Sequence, residues 1–337
     1  EVRHYPWRSW CECCVRGAAV NDPHYRVRDR TRTKPTIAID YSFLSSSGQQ
    51  EDGSMPILNI KDLITKRVSM EVVPRKGNSE YATEVLCEFI KSAGYKELVI
   101  KSDQEPAITA LVDRVRAESL ANITSEVSPV GESSSNGDIE SQIRRNTALV
   151  RVLKLCLESH IKERIEADWA IVPWIIRHAA CIINYFRKDD SGLTPWQHTK
   201  GRPFSKKLAV IGESVWYLMP QSLGTDKLDG RWCSGIWCGI LEESGEYLLG
   251  TRHGIIKART FRRKTSDERW CSEEVRDMAG TPWHPYPGHN RLTFKDIKPR
   301  VKFTDEPEIP SESTGTEKEP RVLRFVITKD DIKKHKP

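Results

Sequence analysis

Three carboxylates fall where a folded chain could bring them together: Asp40, Asp103 and Glu140, separated by 63 and 37 positions. Asp40 lies in an alternating run, Thr36 to Leu44, that reads as a strand, and Asp103 directly follows a second strand candidate, Lys96 to Ser102. Glu140 falls in the first turn of a helix that opens after a Ser/Gly-rich stretch, Ser128 to Gly137. If the first and fourth strands are neighbours in one sheet, Asp40 and Asp103 lie side by side and the helix carries Glu140 over them. Carboxylates offer only hard oxygen donors, which suit Mg²⁺ or Mn²⁺ and suit a soft metal poorly. Two such ions about 3.5 to 4 Å apart would activate an attacking oxygen and stabilise a leaving one at a phosphodiester. Taken singly, each acid reads as an ordinary solvated side chain.

The elements that must position them are legible in the periodicity. Strand candidates at Thr36 to Leu44, Pro56 to Lys61 and Lys66 to Val73 precede a helix over Glu80 to Ser92, whose Ala82, Val85, Leu86 and Ile90 share one face. A strand at Lys96 to Ser102, a helix at Pro106 to Leu120 and a strand at Asn122 to Val127 complete an α/β order. Helices are expected from about Asp138 to His160 and from about Ala167 to Phe186. The second carries Trp169, Ile171, Ile175, Ala179, Ile182 and Ile183, dense enough to predict packing onto the preceding domain. Beyond Gly201, short strands at Gly212 to Met219, Arg231 to Ile240, Glu246 to Gly250 and Ile255 to Arg262 predict a small all-β barrel.

With 337 residues, 38% of them hydrophobic, and 10 Trp, 9 Tyr and 8 Phe, the chain can build real cores and is not wholesale disordered. Its longest apolar run, Trp169 to Ile176, is far shorter than the roughly 20 residues a membrane helix needs, so no membrane partner is expected. Nine cysteines, an odd number scattered along the chain, argue against a secreted disulfide framework and for a reducing, intracellular setting. The net charge of +6 is unevenly spread: Glu1 to Lys34 carries +4, Lys206 to Lys264 carries +4, and Asp305 to Pro320 carries −5 and reads as a solvated linker.

Basic residues near the acids are candidates for phosphate contacts. Arg144 and Arg151 lie at i+4 and i+11 from Glu140 on one helical face, with Arg145 and Lys154 alongside, and Asn136 and Gln142 are weaker candidates for contacts to a DNA end. In the β-rich segment Arg252, His253, Lys257, Arg259, Arg262, Arg263 and Lys264, near Trp232 and Trp237, could line a second phosphate surface. At the amino end Cys11 and Cys14 have Cys-x-x-Cys spacing and His4 offers a third zinc ligand, one short of the four a structural Zn²⁺ site needs.

The local sequences around the acids resemble the integrases of retroviruses and LTR retrotransposons, above all the copia-like branch. Ile37-Ala-Ile-Asp40-Tyr resembles the family's first-aspartate strand, and Lys101-Ser-Asp103-Gln-Glu-Pro the end of its second-aspartate strand. The run Ser128-Pro-Val-Gly-Glu-Ser-Ser-Ser-Asn136-Gly137-Asp-Ile-Glu140-Ser141 resembles the loop and helix start that present the family's glutamate, with one residue more than the usual spacing of about 35. Downstream, Ala179-Ala-Cys-Ile-Ile-Asn184-Tyr-Phe-Arg, Gly192-Leu-Thr-Pro195-Trp and Gly201-Arg-Pro203 are similar to a copia-like segment. The chain departs from the pattern at Gln104-Glu105, where the family often has Asn-Gly, and in a longer loop at Ser45 to Ser54.

The resemblance implies an α/β protein with an RNase H-like catalytic core over residues 35–165, a partial His/Cys zinc module at 1–20 and a basic linker at 21–34. A helical extension at 166–205, a small SH3-like β-barrel at 206–265 and a tail at 266–337 would complete it. It implies that Asp40, Asp103 and Glu140 form the catalytic triad and hold two Mg²⁺ or Mn²⁺ ions, that His4, Cys11 and Cys14 take part in a structural Zn²⁺ site whose first histidine precedes Glu1, and that the chain is a segment of a Pol polyprotein. The implied activity is 3′-end processing and strand transfer on double-stranded DNA, by a homo-oligomer acting in the nucleus. A nuclease or cut-and-paste transposase of the same fold, and a domesticated or decayed copy that only binds DNA or chromatin, remain the alternatives.

Overall fold

The alternating run at Thr36 opens a sheet whose two faces differ in chemistry, and this difference places the acids. The computed structural model describes residues 34–43, 55–77, 79–127, 137–218 and 230–288. Strands β1 (Thr36–Ser42), β2 (Ile57–Asp62) and β3 (Val68–Val72) form an antiparallel meander, followed by α1 (Glu80–Ala93), β4 (Glu97–Ser102), α2 (Pro106–Glu118) and β5 (Asn122–Val127). β4 and β5 join in parallel on the other side of β1, giving the mixed order β3-β2-β1-β4-β5. The long helix α3 (Gly137–Ile161) and then α4 (Ile171–Phe186) complete this half.

Residues i and i+2 of a strand share a face. Ile37, Ile39 and Tyr41 therefore point with Leu58, Ile60, Leu98 and Ile100 into one core, closed by Leu86, Phe89 and Ile90 of α1 and Ile108, Leu111 and Val115 of α2. α1 starts at a Ser79 side chain that accepts from the Ala82 amide and stops at Gly94, whose φ of 75° a residue with a side chain adopts only with strain. α3 and α4 cover the opposite face. α4 begins at Ile171, later than the sequence predicts, and its packing is broader than onto the preceding domain alone. One apolar cluster runs from Ile57, Val68, Met70 and Val72 through Trp174, Ile175 and Ala179 to Tyr217, Ile236 and Trp237 of a second sheet.

That second sheet holds β6 (Ser214–Leu218), β7 (Trp232–Ile240), β8 (Tyr247–Thr251), β9 (Gly254–Ala258) and β10 (Phe261–Arg263), all antiparallel in the order β10-β6-β7-β8-β9. The run expected as one strand, Ile255 to Arg262, is two strands on opposite edges. Four strand spacings of about 4.8 Å exceed what the Ala258 to Phe261 connection spans at about 3.5 Å per residue, so the sheet must curl. Among the described residues no β9–β10 ladder closes it. Two short helices escaped the sequence reading: α5 (Pro195–Lys200) and α6 (Ser272–Arg276). The Thr194-Pro195 pair is a helix start, its Thr194 side chain and Gln197 forming a reciprocal capping box.

Two stability predictions follow from buried polar groups. Asn184 of α4 pairs with β3 as a peptide would, its Oδ1 accepting from the Val68 amide at 2.9 Å and its Nδ2 donating to the Val68 carbonyl at 2.8 Å. Asn184→Ala strands both buried backbone groups and should cost about 3 kcal/mol, read from urea unfolding. His178, buried edge-on to Trp237, is held neutral by its surroundings, which push its pKa down to about 4. Between about pH 6.5 and 4 the unfolded chain then binds the extra proton, so stability falls as the pH falls through that window. From pH 7 to 5 the loss should be about 2 kcal/mol larger for the wild type than for His178→Gln.

Candidate active site

Asp40 shares its strand face with Ala38, whose side chain is small enough for α3 to approach. Ile139 of α3 packs on Ala38 and Leu63, with Ile143 beside it, and this contact sets the first turn of α3, including Glu140, over the sheet. The parallel β1–β4 register runs Ile37 against Ile100 and Ala38 against Lys101, so two residues further on Asp40 comes alongside Asp103. Asp103 closes a small turn, its Oδ1 accepting from the Glu105 amide at 3.2 Å.

The electrostatics record the convergence. Burial raises the Asp40 carboxyl pKa from 3.8 to about 7, and the negative charges of Asp103, Glu105 and Glu140 add to the rise, while a hydrogen bond from the Tyr41 amide opposes it. A carboxyl group crowded by three others in partial burial is one whose ionised form a divalent cation would stabilise. The donors are all carboxylate oxygens, so their chemistry fits a hard ion such as Mg²⁺ or Mn²⁺. Among the described residues no three His, Cys, Asp or Glu side chains are gathered closely enough to grip one ion. The acids share a field without forming a preassembled ligand set.

Three residues around the acids carry weight that the sequence reading did not assign. Glu105, visible beforehand only as a departure from Asn-Gly, is a fourth carboxylate, held by the Lys76 ammonium at 2.6 Å. Lys76 in turn lies over the rings of Phe43 and Tyr41, at 4.9 and 5.5 Å from their centroids, and the Tyr41 hydroxyl accepts from the Gly77 amide at 3.3 Å. Asn59 lies opposite Asp40 in the β1–β2 register and is buried; its Nδ2 donates to Ser42 Oγ at 2.9 Å and to the Ile57 carbonyl at 3.0 Å, while its Oδ1 has no partner. No spacing rule points to Lys76 or Asn59, because both reach the site across the sheet.

The other predicted residues are placed unevenly. Arg144, Arg145 and Arg151 are exposed on α3, Arg151 donating from Nε to the Thr147 carbonyl at 3.4 Å. Lys154 is tied to Glu158, which also accepts from the Ile165 amide at 2.8 Å and so fastens the end of the helix. Gln142 is only 2% exposed and is spent internally, donating to Asn146 Oδ1 at 2.7 Å and accepting from Arg187 at 3.2 Å; in this position it does not reach out to a DNA end. In the second sheet Arg252, Arg259 and Arg262 are exposed and Lys257 half-buried. Arg263, also exposed, pairs with buried Glu213 at 2.7 Å; Lys264 is buried, donating to Ser234 at 2.7 Å beside Glu274, and Trp237 lies in the core, so Lys264 and Trp237 serve the fold. Asn136, His4, Cys11 and Cys14 lie outside the described residues. Among the described residues no helix is long and apolar enough to cross a membrane.

No protein-family profile and no curated protein matches the chain. Among solved structures it is similar to the catalytic core of HTLV-2 integrase, at 14% identity and a TM-score of 0.34 over 49% of this chain and 95% of that one. It is similar to the catalytic core of BIV integrase at 17% identity and 0.36, over 49% and 93%. It is also similar to a chain of the simian T-cell lymphotropic virus intasome with PP2A regulatory subunit B56 gamma, at 13% identity and 0.40, over 76% and 87%.

Proposed function

We propose that the chain is an integrase of the retroviral and LTR-retrotransposon kind, with an RNase H-like core that carries out metal-dependent 3′-end processing and strand transfer on double-stranded DNA. The observation that carries this reading is the register that brings Asp40 alongside Asp103, with Glu140 near enough for its charge to act on Asp40. Each of these acids, far apart in sequence, lies in a local motif that resembles the family's, and the charges of Asp103 on β4's end and Glu140 on α3 both act on Asp40 of β1. In this reading the three carboxylates hold two Mg²⁺ or Mn²⁺ ions, which when bound supply Lewis-acid activation of the attacking oxygen and charge relief at the leaving one.

The chain's own residues supply position. Ile139 on Ala38 fixes the height of Glu140 over the sheet, and the β1–β4 ladder fixes Asp40 against Asp103. Arg144, Arg145 and Arg151 face solvent on the helix that carries Glu140, where their guanidinium groups can take backbone phosphates, contacts that orient a duplex without reading its sequence. Water would first attack the phosphodiester near an element end and release a 3′-hydroxyl. That hydroxyl would then attack a target phosphodiester and displace its 3′-oxygen. A homo-oligomer working in the nucleus, with a zinc module ahead of the core, belongs to the same reading.

A second reading, a copy that binds DNA without joining it, draws on the absence among the described residues of three acidic side chains gathered about one point. Metal dependence separates the two. Joining of a recessed 3′-end duplex to a plasmid should require Mg²⁺ or Mn²⁺ and vanish in EDTA; DNA binding with no joining in either metal would favour the second reading.

A further inference from the structure

β2 lays its side chains alternately on the two faces of the first sheet. Leu58 and Ile60 enter the apolar core, so Asn59 and Lys61 share the face that α3 covers. Lys61 stands directly opposite Ala38 in the β1–β2 register and is 8% exposed. Its ammonium donates to the Asp138 carbonyl of α3 at 3.0 Å and lies 3.9 Å from the Asp138 carboxylate. Next along the helix, Ile139 packs on Ala38 and Leu63. The paired residues Ala38 and Lys61 thus hold two successive residues of the first turn of α3, immediately before Glu140. The second turn is tied elsewhere, Gln142 accepting at 3.2 Å from Arg187, the residue that ends α4.

The helix does not need this contact for its own hydrogen bonding. Asp138 lies within the continuous helix Gly137–Ile161, where a carbonyl accepts from the amide four residues on, so the bond from Lys61 is additional. The charge is also poorly placed for stability. Burial disfavours the Lys61 ammonium, the exposed Asp138 opposes that, and Lys66, Arg145 and Arg187 add repulsion. A cation at the first turn of a helix opposes the helix dipole as well. A methionine of similar length would carry none of these costs.

We propose that Lys61 is a positioning residue for the carboxylate site, a tether from β2 that holds the first turn of α3 so that Glu140 can join Asp40 and Asp103 around a divalent cation. The packing of Ile139 on Ala38 is non-directional and sets only how closely the helix approaches. The Lys61 hydrogen bond is directional and fixes where along the sheet, and at what rotation, the turn sits. A buried charge that the fold could replace at a gain is accounted for by this task. The inference rests on reading the carboxylates as a metal site, and its test uses metal binding and not joining.

The 337-residue chain is titrated with MnCl₂ and free Mn²⁺ is read from its electron paramagnetic resonance signal, with thermal melting followed in parallel. The proteins compared are the wild type, Lys61→Met, Glu140→Gln and the double variant. Lys61→Met should melt no earlier than the wild type and bind Mn²⁺ about tenfold more weakly, the size expected when a residue that orients a metal ligand is lost. Because that loss runs through Glu140, the double variant should bind no more weakly than Glu140→Gln alone. Wild-type affinity in Lys61→Met, beside a weakened Glu140→Gln, overturns the inference and leaves the carboxylate reading standing. Losses that simply add in the double variant overturn it too, since Lys61 would then act elsewhere than through Glu140. Early melting of Lys61→Met overturns it by making Lys61 a tie of the fold. Glu140→Gln that binds Mn²⁺ like the wild type removes the carboxylate reading itself, and the inference with it.

Discussion

Asp103→Asn is expected to lower the rate of DNA joining by about a thousandfold or more while leaving the melting temperature close to that of the wild type. The size follows from the role proposed for the carboxylates. Removing one anionic ligand from a site that stabilises developing charge at a phosphodiester forfeits several kcal/mol of transition-state stabilisation, and about 4 kcal/mol is a factor of about 10³. Asp40→Asn and Glu140→Gln should lose comparable amounts, because in the proposed role the three would serve one centre and not contribute independently. Asp103 lies on the strand end and caps a turn with its Oδ1, a bond that an asparagine carbonyl oxygen can also accept, so the fold should tolerate the change. Joining rates within tenfold of the wild type for any of the three would remove that residue from the site. Glu105→Gln separates the fourth carboxylate from the triad: it loosens Lys76 but removes no motif acid, and it should cost far less than Asp103→Asn.

The largest stability effect is expected from Trp174→Ala. Trp174 has no exposed surface, its indole N–H donates to the Gly280 carbonyl at 2.9 Å, and it belongs to the apolar cluster that runs from β2 and β3 through α4 to the second sheet. Truncation opens a large cavity between two sheets that cannot collapse on each other and strands a buried carbonyl, at a cost of about 4 kcal/mol. Trp216, 37% exposed on β6, is the matched control, and its replacement by alanine should cost less than about 1 kcal/mol. Urea unfolding of the two variants should rank them in that order; similar small losses for both would mean that Trp174 is not a keystone of the shared core.

How much of this was legible beforehand depends on what kind of signal each feature leaves. The strands and long helices announce themselves because their buried sides repeat every two or every 3.6 residues, as in Ile37-Ile39-Tyr41 and Leu86-Phe89-Ile90. Asp40 and Asp103 could be placed together only on the condition that the first and fourth strands are neighbours, a condition the parallel β1–β4 register meets. Gln142 misled because the buried stripe of α3, Ile139, Gln142, Asn146 and Val150, includes two amides that look like surface residues until their mutual hydrogen bond is seen. Lys264 misled for a similar reason, its acidic partner Glu274 lying 10 positions away with no spacing that reveals the pairing. The division of Ile255 to Arg262 into two edge strands leaves no hydrophobic trace, because both halves bury apolar residues and only the curl of the sheet parts them.

Joining of DNA ends, the activity proposed for this chain, can be followed on a labelled strand. A duplex labelled on its recessed 3′-hydroxyl strand is incubated with supercoiled plasmid, Mn²⁺ and the folded 337-residue chain, and the label is followed on a denaturing gel. Covalent transfer of label to plasmid-length DNA, abolished when the 3′-hydroxyl is replaced by a 3′-deoxy end, is the predicted result. Plasmid nicking with no transfer of label, or no change in either DNA, would contradict it.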